Sequence, residues 1–220
     1  HWTRSAVKAA KEIGVQTSYI PHAYTSSTFP ELECSYSFLD SETQRHLYKK
    51  EGATDKGAVQ VTGAVRYENR IRGVEYRELK GIFICFNLLD SLALIDSILA
   101  RSVKETRAKY SIFVKPHPGD SNRFGTIEQL CEKYQLKYVS PLDDIFNFAD
   151  QAQVLLAGCT GAHIDALMYG MCPMSLSSWY EGDYYGLVAG DVVQLAHSFY
   201  DIHKRYDDSF HKVMGIRHRY

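Results

Sequence analysis

The chain has 220 residues, 45% hydrophobic and 23% charged, the composition of an ordinary folded domain or two with a real core. Its 25 basic and 26 acidic residues leave a net charge of −1, so no global field draws it to nucleic acid or an anionic membrane, and any anion site must be local. Five scattered cysteines without a CxxC pair read as reduced thiols of a cytoplasmic protein, and no apolar run approaches the roughly 20 residues of a spanning helix.

The sequence opens at His1 and runs straight into a helix-like stretch over residues 3–12, which reads as a piece of a longer polypeptide. Ala6, Val7, Ala10 and Ile13 recur at helical spacing, and Gly14 stops the pattern. A β-prone run over 15–20 follows, then a Ser-, Thr- and Pro-rich loop over 21–33. A strand at 36–39, a helix from the Asp40 or Ser41 cap to about 52 and a strand at 58–62 complete a first, partial α/β lobe over 1–66. From there the chain turns charged and loses periodicity, which predicts a linker over 67–80.

Residues 81–220 then alternate again. Strands are expected at 81–86, 111–115, 137–139, 154–157 and 172–175, and helices at 88–109, 126–134, 142–149, 161–169 and 191–206. Short apolar runs between helices are the mark of βαβ units with right-handed crossovers, so this lobe is predicted to be a doubly wound, Rossmann-like parallel sheet.

In such a sheet a ligand sits beyond the carboxyl ends of the strands. Two loops there carry chemistry. The first, Lys115-Pro116-His117-Pro118-Gly119-Asp120, holds one imidazole between two prolines, in a stiff frame from which a ring N–H can reach a phosphate oxygen. On the residues alone, a Pro-rich surface turn accounts for it as well. The second, Gly158-Cys159-Thr160-Gly161, ends a buried strand and opens a helix. Thr160 reads as the N-cap, the amides of Gly161 and Ala162 as an anion site, and Asp165, one turn in, as a partner for a ribose hydroxyl. A Gly-flanked cap with a solvated acid fits the same residues. His163 reads as structural, and the aromatic run 179–186 as a loop whose flat faces can stack on a base or sugar.

With both loops in place, the sequence resembles the GT-B glycosyltransferases that hold a nucleotide with an HP dipeptide and a later Ser/Thr loop. These are the bacterial sialyltransferases, the capsule transferases for sialic acid or Kdo, and the polymer glycerophosphotransferases. The segments "AAKEIGVQTSYIPHAYTSS", "VQVTGAVRYE", "FVKPHPGD", "VLLAGCTGAHIDALMYGMCPM" and "DYYGLVAGDV" follow in the family's order. The resemblance implies a GT-B C-terminal lobe preceded by part of the acceptor-side lobe. It assigns the donor phosphate to His117, its cradle to Thr160 and Gly161, and the ribose or base to Asp165, with Lys115, Pro118 and Cys159 beside them in the donor-binding set. Many relatives have Ser-Ser or Ser-Thr at Cys159-Thr160 and Glu at Asp165, which leaves the donor open between CMP- and UDP-linked sugars.

His22, at the end of a first-lobe strand, is the candidate catalytic residue of that lobe, since a general base must reach the acceptor hydroxyl. In the family this base resembles an acidic residue nearer the N-terminus, beyond this sequence, which leaves His22 to assist donor binding or to serve the structure. The expected activity is metal-independent transfer, without a cofactor, from a nucleotide-activated sugar to a glycan or lipid-linked acceptor of a bacterial surface polysaccharide. Peripheral contact with the inner membrane falls to regions outside the sequence. Two alternatives stand beside it. One is a non-hydrolysing sugar-nucleotide epimerase, whose longer acidic Gly-Gly pattern "GCTGAHIDA" lacks; the other is a catalytically inactive nucleotide-binding module.

Overall fold

The computed structural model describes residues 2–21, 23–27, 29, 31–48, 57–71, 73, 75–106 and 109–220. They form two compact units, one of residues 1–69 with 218–220 and one of residues 70–217.

The first unit is a parallel sheet of three strands in the order β1 (Ser18–Tyr19), β2 (Tyr36–Leu39), β3 (Ala58–Val61), with helices α1 (Trp2–Glu12) and α2 (Glu42–Tyr48). Helix α1 ends at Glu12, and Gly14 stops the pattern, as expected. Its φ of +75° lets the Val15 amide turn back to the Ala10 carbonyl at 2.8 Å. Only Ser18 and Tyr19 of the expected 15–20 run pair in the sheet. The expected extension of α2 past Tyr48 lies outside the described residues. Inside this unit Tyr48, buried, shares hydrogen bonds with Tyr19 (2.6 Å) and Thr25 (2.8 Å), and Gln44 donates to Thr25 at 3.1 Å.

The second unit carries a six-stranded, all-parallel sheet ordered β6-β5-β4-β7-β8-β9. Its strands are β4 (Gly81–Cys85), β5 (Ser111–Lys115), β6 (Lys137–Tyr138), β7 (Val154–Ala157), β8 (Cys172–Leu176) and β9 (Gln194–Ala196). The runs GIFIC, VLLA and CPMSL are buried at every residue, which is why they read as unbroken apolar strands and not as alternating ones. Helices α3 (Leu92–Thr106), α4 (Phe124–Lys133), α5 (Ala162–Met168) and α6 (Phe199–Gly215) cover the sheet. Helix α3 turns Ile95, Ile98, Leu99 and Ser102 inward and packs on α4 and α6, while α5 lies on β7 and β8. Renumbered within the unit, the strand order is 3-2-1-4-5-6, the Rossmann order, and the doubly wound α/β fold expected from the sequence is the one observed.

Three boundaries differ from expectation, each for a local reason. The 191–206 segment is a turn, then β9, then the start of α6, because Asp191 adopts φ +62° and buried Val192 and Val193 lead into a strand. The 142–149 segment forms only a 3₁₀ turn over Ile145–Phe148. There Asp144 caps the Phe146 amide at 3.0 Å, and Phe148 packs on Phe83 and Phe113, with ring centroids 5.2 and 5.6 Å away. Helix α3 starts at Leu92, four residues later than expected, because Asn87 and Asp90 fold the chain into a turn first.

Candidate nucleotide-binding site

The strand order reverses between β4 and β7, so the crevice of this sheet opens beyond Cys85 and Ala157. A cavity of about 330 Å³ lies at that point. Asn87, Leu89, Asp90 and Ser91 line it from the loop after β4, with Leu94 from α3, Cys159 from the loop after β7, and Trp179, Glu181 and Tyr184 from the loop after β8.

The loop after β4 is held by its own side chains. Asp90 Oδ2 accepts from the Asn87 amide at 2.7 Å, Asn87 Oδ1 accepts from the Leu89 amide at 2.7 Å, and Ser91 Oγ caps α3 through the Leu94 amide at 3.2 Å. The other Asp90 oxygen accepts from the indole Nε1 of Trp179 at 2.9 Å, and the Trp179 ring rests 5.3 Å from that of Phe86. Arg123 ties this loop to the next one. Its Nε donates to Asp120 Oδ1 at 2.7 Å, one terminal nitrogen to the Leu88 carbonyl at 3.1 Å, and the other to the Asp90 carbonyl. Gly158 makes room for the indole, since a Cβ there would stand 2.9 Å from Trp179 Nε1. Gly158→Ala is therefore expected to push Trp179 off Asp90, costing about 1–3 kcal/mol in chemical denaturation, the range for overpacking.

The loop after β5 carries the predicted His117. Its Nδ1 accepts from the Gly119 amide at 3.0 Å, which places the ring N–H on Nε2, and the half-exposed ring keeps that N–H as a donor. Pro118 beside it is exposed. Lys115 is buried, and its ammonium donates to the Pro141 carbonyl. Burial lowers the Lys115 pKa, while burial pushes the neighbouring Cys85 thiol up to about 12. Lys115 thus spends its proton under the loop and is absent from the cavity lining.

The loop after β7 differs from its sequence reading in detail. Helix α5 has seven residues, and its N-cap is Gly161, already helical at φ −65°. Thr160 Oγ1 stands 3.4 Å from the Ala162 amide, a weak cap, and the Tyr185 hydroxyl meets the Gly161 amide; burial raises the pKa of that tyrosine and the amide contact lowers it. His163 is fully buried, with Nε2 2.8 Å from the Gly158 carbonyl, and burial lowers its pKa to about 4. It stays neutral and donates Nε2–H to that carbonyl, anchoring the loop from below. Asp183 anchors the loop after β8, accepting from the Tyr180 hydroxyl at 2.8 Å and from the amides of Leu187, Val188 and Ala189 at 2.8, 3.1 and 2.9 Å.

Of the residues named from the sequence, Cys159 lines the cavity and Thr160 and Gly161 continue its loop. His117 and Pro118 stand on the adjoining loop, where a Cβ on Gly119 would lie 3.7 Å from Leu88. Asp165 is half-buried in the first turn of α5. His22 lies outside the described residues. The sequence reading passed over Asn87, Asp90 and Ser91, whose signal is two Asx residues and a Ser between an apolar strand and the helical run LALID. Among the described residues no group of His, Cys, Asp and Glu is arranged to hold a metal ion, and no helix is long and apolar enough to cross a membrane.

No protein-family model matches the chain, and no curated protein matches it. Solved structures do. S. aureus MnaA in a co-structure with UDP aligns over 97% of this chain and 66% of its own, at 15% identity and a TM-score of 0.64. The wall teichoic acid polymerase TagF aligns over 91% and 60%, at 10% identity and 0.53. The pneumococcal O-GlcNAc transferase GtfA, in complex with UDP and GlcNAc, aligns over 98% and 48%, at 8% identity and 0.50. The chain spans less than two thirds of each of these proteins. At such identities the likeness is one of fold, and the chain has the Rossmann-like α/β fold found among GT-B glycosyltransferases.

Proposed function

We propose that the second unit binds a nucleotide-activated sugar and serves as the donor side of a glycosyltransferase that assembles a bacterial surface polysaccharide. The observation that carries this reading is the crevice at the reversal of a 3-2-1-4-5-6 parallel sheet, the place where this fold takes its nucleotides, with a cavity at its edge. The co-structure of MnaA with UDP and the complex of GtfA with UDP and GlcNAc support a nucleotide ligand, and the teichoic acid polymerase supports the polymer product. The donor is CMP- or UDP-linked, and the first unit, with His22, belongs to the acceptor side.

In this reading His117 Nε2–H donates to a donor phosphate oxygen and favours the charge that develops as the phosphate departs. The loops after β4 and β7 position the donor, and positioning supplies most of the rate. No metal or cofactor has a part in the reading; the charge of the leaving group falls to His117 and the loop after β7.

His117→Ala is expected to weaken nucleotide binding by about 1–3 kcal/mol, the range for a hydrogen bond to a charged group, with little change in thermal midpoint. Trp179 lines the cavity, so its fluorescence reports the titration. Intact affinity in the folded variant places the phosphate elsewhere. The fate of a nucleotide sugar offered to the protein separates the alternatives: nucleotide released in step with added acceptor marks a transferase, and interconversion of sugar epimers without acceptor marks an epimerase.

A further inference from the structure

The lining of the cavity also selects the kind of sugar, an inference that rests on the nucleotide reading above. Its apolar walls come from Leu89, Leu94, Trp179 and Tyr184, and two carboxyl side chains, Asp90 and Glu181, border the space. Among the described residues, no Lys, Arg or His lines it. Arg123 stands behind the loop, but its donors are given to Asp120 and to the carbonyls of Leu88 and Asp90.

Aromatic walls with carboxylate acceptors suit a pyranose ring, whose C–H face packs on an aromatic face and whose hydroxyls donate to carboxylates. A phosphate or a sugar carboxylate in the same space meets charge of its own sign, and none of the described lining residues is a cation to offset it. Size points the same way. At about 330 Å³ the cavity is at the small end of ligand sites, which run roughly 300–1,000 Å³, and a single pyranose ring fits within it. The donor Nε2–H of His117 stands outside this lining, on the loop after β5.

We propose that the cavity receives the transferred sugar ring, that this ring is a neutral, hydroxyl-bearing pyranose, and that sugars carrying a carboxylate are excluded by Asp90 and Glu181. The charged phosphates then lie outside the cavity, toward His117. Among the transferases the sequence resembles, this sets the chain apart from those for sialic acid and Kdo.

Calorimetric titration of the chain with two matched sets tests the proposal: UDP, UDP-glucose and UDP-glucuronate, and CMP with CMP-N-acetylneuraminate. UDP-glucose is expected to bind more tightly than UDP, and UDP-glucuronate roughly tenfold more weakly than UDP-glucose, the scale of one like-charge contact at a partly exposed site. CMP-N-acetylneuraminate is expected to bind more weakly than CMP. Glu181→Gln should narrow both gaps. Equal or tighter binding of the acidic member in either set overturns the proposal, as does a gap that Glu181→Gln leaves unchanged. If neither UDP nor CMP binds, the nucleotide reading itself fails, and this inference goes with it.

Discussion

Trp179→Ala should lower the stability of the second unit by about 3–5 kcal/mol, the usual cost of emptying a buried indole site. Trp179 is 3% exposed, packs on Phe86 at 5.3 Å and gives its one donor to Asp90 at 2.9 Å. Its removal opens a hole beside the sheet and takes a partner from a buried carboxyl, and the loop after β4 loses its far anchor. Trp179→Phe separates the two effects. The ring packing survives, so the loss should fall to about 1–3 kcal/mol, the cost of an unmet hydrogen bond at a buried acceptor. Urea unfolding followed by far-ultraviolet circular dichroism reads both variants. Losses below about 1 kcal/mol for the alanine variant would mean that the indole is not part of the packed wall.

The stability of the chain should also climb with pH between about 4 and about 6.5 because of His163. The folded pKa of this buried imidazole is about 4, against about 6.5 in an unfolded chain. As pH falls through 6.5 the unfolded state takes up a proton that the folded state refuses, so folding weakens until the folded pKa is reached. The stabilisation is therefore fully present above about 6.5 and lost on acidification, by up to about 3 kcal/mol for this one group. His163→Gln keeps an N–H to offer the Gly158 carbonyl and does not titrate. Its urea midpoint should thus change less than the parent's between pH 4.5 and pH 7, and an identical pH dependence would show that His163 takes up its proton alike in the folded and unfolded chain.

The strands of the second unit could be read directly from GIFIC, SIFVK and VLLA, because a strand buried on both faces is an unbroken apolar run, and the parallel order followed from the alternation with helices. The site was legible in part. The His117 and Cys159 loops announce themselves through Pro and Gly next to strand ends, and the 179–186 stretch could be recognised as an aromatic loop. Its role could not, because the partner of Trp179 is Asp90, 89 residues earlier in the chain. The same holds for Arg123, whose donors reach the carbonyls of Leu88 and Asp90 across 35 and 33 residues. Local propensity placed the start of α3 inside the very turn that these distant groups hold. Similarly, nothing in the local Gly158–Gly161 pattern foretells that Tyr185 of a later loop comes to the Gly161 backbone.

The central claim is that a nucleotide binds in the crevice between the ends of β4 and β7, and calorimetric titration of the chain with CMP, CDP and UDP tests it most directly. The account predicts saturable one-site binding of at least one of the three, weakened about 10- to 100-fold by His117→Ala in a protein that remains folded. Absence of heat on adding any of the three to the folded chain, or binding that His117→Ala leaves untouched, would contradict it.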